Sequence, residues 1–158
     1  MKTAKGFTLI ELMVTISIVG VILAWAVSSF SDVISNNRVK TTASIVLSAL
    51  QEARSEALKQ NKTATVTVGS TAVVTTLGTT VKTIPYGVGT SGGVTVVGGT
   101  VLFSSTGQEK DLASHTIKIS DTSCATAKSC LNIQVYGGGY IKLCNPSQGD
   151  ENAPNYCK

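Results

Sequence analysis

Histidine is the scarcest chemistry-bearing residue in this 158-residue chain: there is one, His115. A single imidazole, with no nucleophile elbow in the sequence, gives a Ser-His-Asp site nothing to be built from. Paired Cys-x-x-Cys spacings are missing too, which ranks a zinc site far below other uses of the cysteines. No Gly-x4-Gly-Lys-Ser/Thr run occurs, so Gly92-Gly93 and Gly98-Gly99 read as turns and not as phosphate cradles. Glu109 and Asp111 flank Lys110 in what reads as a solvated turn, and His115 reads as structural or surface. Together these gaps imply no enzyme, no cofactor and no metal. Charge is sparse as well: 14% of residues are charged and the net is +4. That is too little by itself to imply nucleic acid or acidic lipid as a partner. Leucine and glutamate thin out after residue 62 while glycine, threonine, valine and serine abound, a composition that favours strands and turns.

One long stretch also lacks charge, and it organises the rest. From Gly6 to Ser31 the only ionisable side chain is Glu11, between the leader residues Lys2 and Lys5 and the next charge at Asp32. Residues 7–31 are long enough for a helix to cross a bilayer core, and the two lysines set the N-terminus on the cytoplasmic side. A carboxylate one turn inside such a helix costs on the order of 2.5–3.5 kcal/mol, so Glu11 calls for a partner. A cut between Gly6 and Phe7 supplies one: the new α-amino group at Phe7 of one subunit can neutralise Glu11 of its neighbour. Two plainer readings stand beside this. One is a signal anchor in which Glu11 reaches toward headgroups. The other is a secretory signal peptide cut after Ala24-Trp25-Ala26, which a carboxylate inside the apolar region argues against.

Gly6-Phe7-Thr8-Leu9-Ile10-Glu11-Leu12-Met13 resembles the class III leader junction of type IV pilins and type II secretion pseudopilins. The resemblance implies cleavage after Gly6 by a prepilin peptidase, N-methylation of Phe7, and a role for Glu11 in assembly with other major and minor pilins. It also implies an inner-membrane stage with a periplasmic C-terminal domain, followed by the filament.

Beyond Asp32 the pattern turns amphipathic. Val39, Ala43, Val46, Leu50, Ala53 and Ala57 recur at alternating spacings of four and three, one buried helical face. A single helix is expected from Phe7 to Gln60, about 80 Å at 1.5 Å per residue. After Asn61-Lys62 the period becomes two. Strands are expected over 63–68, 71–77, 79–84, 94–97, 100–104, 116–120, 131–136 and 140–143, with turns at Gly69-Ser70 and Gly137-Gly138. The fold class is therefore α+β: a leader at 1–6, an apolar helix at 7–31, its amphipathic continuation at 32–61, and a β-rich domain at 62–158. The four cysteines, Cys124, Cys130, Cys144 and Cys157, form an even set outside the cytoplasm and suggest two disulfides. Three connectivities are open. Cys124 with Cys130 and Cys144 with Cys157 close the shortest loops.

Phe103-Ser104-Ser105-Thr106-Gly107 after a strand, and the closing Ile141-Lys142-Leu143-Cys144, resemble the GspH/FimT/FimU branch of pilin-like proteins, FimU most of all. That resemblance implies a minor pilin that helps start assembly or links a tip complex to the shaft. A GspH-type pseudopilin is the alternative in the same architecture. A second alternative is DNA binding of the FimT type, whose Gly-Arg-x-Arg stretch is here Gly139-Tyr140-Ile141-Lys142. Both arginines are replaced, leaving Tyr140 to stack on a base and Lys142 to meet a phosphate.

Overall fold

Helix α1 runs from Leu9 to Gln60 in the computed structural model, which describes residues 6–86, 94–121, 130–146 and 156–157, without the side chains of 25–32. It begins two residues later than periodicity suggests, because Thr8 serves as its cap. It stops before Asn61, whose φ of 50° lies in the left-handed region. The Lys62 amide then donates back to the Ala57 carbonyl at 3.1 Å, satisfying a last-turn acceptor. The chain resolves into two compact units, 1–34 and 35–158.

Within the second unit, every residue of the expected stripe is buried: Val39, Ala43, Val46, Leu50, Ala53 and Ala57. Thr42 and Ala49 widen it, as the 3.6-residue period requires. Among the described residues eight strands follow: β1 (Ala64–Val68), β2 (Ala72–Leu77), β3 (Thr80–Pro85), β4 (Thr95–Val97), β5 (Thr100–Phe103), β6 (His115–Ser120), β7 (Cys130–Val135) and β8 (Ile141–Cys144). Each lies within a residue of its expected limits. They form two four-stranded sheets, ordered β3-β2-β1-β5 and β4-β6-β7-β8, and every strand pair is antiparallel.

Alternation chooses the inner faces. Ala64, Val66 and Val68 of β1 are buried while Thr67 is exposed, and Ile117 and Ile119 of β6 are buried while Thr116 and Lys118 face water. Val73, Leu77, Val101 and Phe103 of the first sheet join Val96, Ile133 and Val135 of the second and the helix stripe in one apolar cluster. The step from β4 to β5 carries the chain from one sheet to the other, held where the Val68 amide donates to the Gly99 carbonyl at 2.9 Å.

Glu109 corrects the sequence reading. It is 1% exposed, not part of a solvated tip. The loop between β5 and β6 folds against the 136–140 turn, where the Glu109 amide donates to the Gly137 carbonyl at 3.1 Å. One carboxylate oxygen accepts the Ala113 amide at 2.9 Å, and the other lies 3.3 Å from His115 Nε2. Burial is tolerable because both oxygens are engaged. The lone histidine is thus the partner of a buried acid.

Candidate functional site

The N-terminal segment is the first candidate. Residues 6–8 are exposed and non-helical, so the Gly6–Phe7 peptide bond lies in open chain. A Cβ added at Gly6 would meet nothing within 4 Å. The protein's own packing therefore places no demand for glycine at that position.

Glu11 has partners within its own chain. The Thr8 amide and the Thr8 hydroxyl each donate to Glu11 Oε2 at 3.1 Å, and the Glu11 amide donates to Thr8 Oγ1 at 3.3 Å. This is a capping box: N-cap threonine and N3 glutamate satisfy each other's backbone amides, and the carboxylate sits at the positive end of the helix dipole. Thr-x-x-Glu ahead of an apolar run is the sequence signature of such a box, so Glu11 has a partner within its own chain besides the one expected in a neighbour.

Beyond the cap, every large apolar residue from Phe7 to Leu23 is at least half exposed, from 50% at Val14 to 80% at Phe7. A helix that exposes apolar side chains on all sides needs lipid or other helices around it. Among the described residues no helix is long and apolar enough to cross a membrane. The expected span 7–31 includes 25–31, whose side chains lie outside the described residues.

The second candidate is the C-terminal sheet. Gln134 faces Lys142 across β7 and β8. Tyr140 is 62% exposed with its ring 5.8 Å from that of Tyr136. Lys142 is held differently: its ammonium donates to the Tyr156 carbonyl at 2.8 Å. Tyr156 pairs with Asn145 in an isolated parallel bridge, and the next residue, Cys157, is bonded to Cys144. The tail thus straps the end of β8 and occupies the cation that the DNA reading needs. Cys130 is disulfide-bonded too, while Cys124, its expected partner, lies outside the described residues.

The Phe103-to-Gly107 motif has a local cause. Arg54 Nε donates to the Gly107 carbonyl at 2.8 Å, and a Cβ at Gly139 would fall 2.0 Å from that same oxygen. Helix, loop and final turn meet at one carbonyl, with room for no side chain at Gly139. Among the described residues no group of three or more His, Cys, Asp or Glu is placed to hold a metal.

Comparison with known proteins finds matches to the N-terminal segment and to most of the domain that follows. The profile of the type II transport protein GspH family matches residues 42–139, and the prokaryotic N-terminal methylation motif matches residues 1–27. A fimbrial protein of Pseudomonas aeruginosa is 40% identical over 62 residues, 39% of this chain and 40% of that one. A type IV major alpha-pilin of Moraxella bovis is 43% identical over 63 residues, 40% of this chain and 39% of that one. The match thus spans about two fifths of the length of these relatives. A crystal structure of the Pseudomonas aeruginosa type IV minor pilin FimU superposes with a TM-score of 0.58 at 16% identity, covering 73% of this chain and 94% of that one. At that identity it is a likeness of fold.

Proposed function

Because the chain belongs to the type II transport protein GspH family and carries the prokaryotic N-terminal methylation motif, we propose that it is a minor pilin that enters a pilus filament to start assembly or to join a tip complex to the shaft. The family is structural and not enzymatic. In this reading a prepilin peptidase removes residues 1–6 and the new N-terminus at Phe7 is methylated. Residues 7–31 hold the subunit in the inner membrane with the remainder in the periplasm, until the apolar helix is drawn among those of other pilins. Residues 32–61 and 62–158 then form the part that faces water.

The observation that carries this reading is the exposure, among the described residues, of every large apolar side chain from Phe7 to Leu23. Glu11 passes from its own cap to the Phe7 amine of a neighbour as water is excluded. The family profile's description, a type II transport protein, favours a second reading, a pseudopilin with the same architecture in a secretion machine. DNA binding through Tyr140 and Lys142 draws little support, since the Lys142 ammonium is held by Tyr156.

Mass spectrometry of the protein from sheared filaments and from membranes tests the proposal. The expected form begins with N-methylated Phe7 and occurs in both fractions, and Gly6→Ala leaves the leader attached. Protein found only in membranes with residues 1–6 intact would refute it.

A further inference from the structure

Two described residues other than glycine have a left-handed backbone, Asn61 and Leu112, the latter at a φ of 52°. Asparagine tolerates that region; for a bulky residue it is a true outlier, because the Cβ crowds the carbonyl oxygen that follows. The bend has a cause within the chain. The Leu112 amide donates to the Glu109 carbonyl at 3.2 Å, and the Ala113 amide reaches the buried Glu109 carboxylate at 2.9 Å. Leu112 is also wedged against the 136–140 turn, where a Cβ at Gly137 would fall 2.5 Å from its oxygen. Glycine or asparagine at 112 would make the same backbone bonds with less strain. The leucine itself is what the fold leaves unexplained. Its side chain is 70% exposed, so burial within the chain offsets little of the strain. Backbone strain of this kind gathers at functional sites.

We propose that Leu112 is the anchor of a subunit contact: in the filament it enters an apolar recess on the globular domain of a neighbouring pilin. Tyr140, 62% exposed, stands on the turn that Leu112 touches and extends the apolar surface, and the exposed Lys110 and Asp111 form its rim. The inference rests on the filament reading above and adds to it which part of the domain makes contact. Three features pick a protein partner. A single projecting side chain fits a concave apolar surface, whereas a small ligand needs a hollow to receive it. One charge of each sign beside the anchor suits the polar rim of a protein interface and gives no attraction to acidic lipid or nucleic acid. The loop is rigid before it binds: Arg54 holds the Gly107 carbonyl and the Glu109 amide holds that of Gly137, so docking costs little ordering.

Filaments sheared from cells carrying wild type, Leu112→Asn or Leu112→Met, and thermal unfolding of the same purified full-length proteins in detergent, provide the test. Asparagine removes the anchor and the strain together. Leu112→Asn is expected to melt about 2–4 °C above wild type yet to be at least tenfold depleted from filaments, a pairing of signs that misfolding cannot produce. Leu112→Met keeps an apolar anchor and enters within threefold of wild type. A photoreactive diazirine side chain at position 112 is expected to cross-link to a peptide of another pilin in filaments and to none in detergent. Leu112→Asn entering as well as wild type, or melting below it, overturns the inference, as does the lack of any pilin cross-link in filaments. Wild type absent from filaments overturns the filament reading as well.

Discussion

Glu11 has two duties in this account, and Glu11→Gln separates them. In the isolated chain the carboxylate accepts two hydrogen bonds from Thr8 at 3.1 Å. A glutamine preserves that arrangement, since capping boxes accept Gln as well as Glu at the third helical position. What glutamine cannot do is neutralise a neighbour's ammonium in an apolar bundle. Losing a cap costs about 0.5–2 kcal/mol, whereas removing one partner of a buried ion pair costs about 3–5 kcal/mol. At 1.4 kcal/mol per tenfold, the second figure is a loss of more than about a hundredfold. Glu11→Gln is therefore expected to be cleaved and helical yet at least a hundredfold depleted from filaments. Thr8→Val, which loses the hydroxyl but keeps the charge, is expected to fall only several-fold. The assay is the ratio of sheared-filament to membrane protein by quantitative immunoblot, with circular dichroism of the purified variants. If Glu11→Gln enters filaments within threefold of wild type while Thr8→Val does not, the cap is the function and the pairing argument is wrong.

Three further outcomes are expected. Gly139→Ala puts a methyl group 2.0 Å from the Gly107 oxygen at a φ of 78°, so the left-handed backbone and the lost Arg54 bond together remove about 3 kcal/mol or more in urea unfolding; a loss below about 1 kcal/mol would show that the turn yields freely. Thr42 is 1% exposed and its hydroxyl has no hydrogen-bond partner among the described residues, so the near-isosteric Thr42→Val is expected to raise stability by about 1 kcal/mol and the melting temperature by about 2–4 °C; a lower melting temperature would refute the orphaned hydroxyl. Burial pushes the Tyr86 hydroxyl up to about 12, from an ordinary value near 10, so the stability it contributes through its neutral form is intact below pH 10 and lost as pH rises through 12. Tyr86→Phe, which gives up the 3.0 Å bond to the Gly69 carbonyl, should flatten the stability curve in that window, and an unchanged alkaline slope would count against the shift.

Periodicity carried the reading as far as periodicity reaches. The stripe from Val39 to Ala57 and the alternation in β1 and β6 are local facts, set by which way a Cβ points at each step, and they placed the helix and all eight strands to within about two residues. The division into two sheets was not legible, because nothing between β4 and β5 except Gly98-Gly99 records that the chain changes sheet there. Glu109 was misread for the same reason. Its Glu-Lys-Asp neighbourhood looks like any solvated turn, and its burial depends on Ala113, on His115 and on a turn near residue 137, far along the chain. Thr8 is legible as the cap, because Thr-x-x-Glu ahead of an apolar run puts a hydroxyl and an amide three residues upstream of Glu11.

The buried acid and the crowded carbonyl belong to one construction. The Glu109 amide is tied to the Gly137 carbonyl, and two residues on, Gly139 lies against the Gly107 carbonyl that Arg54 also reaches. The loop after β5 is thereby fastened to the last helical turns on one side and to the final turn on the other. Two loops that would otherwise be free become a rigid end to the domain. The same economy governs β8, whose far end is closed by the Cys144–Cys157 bridge and by Lys142 on the Tyr156 carbonyl.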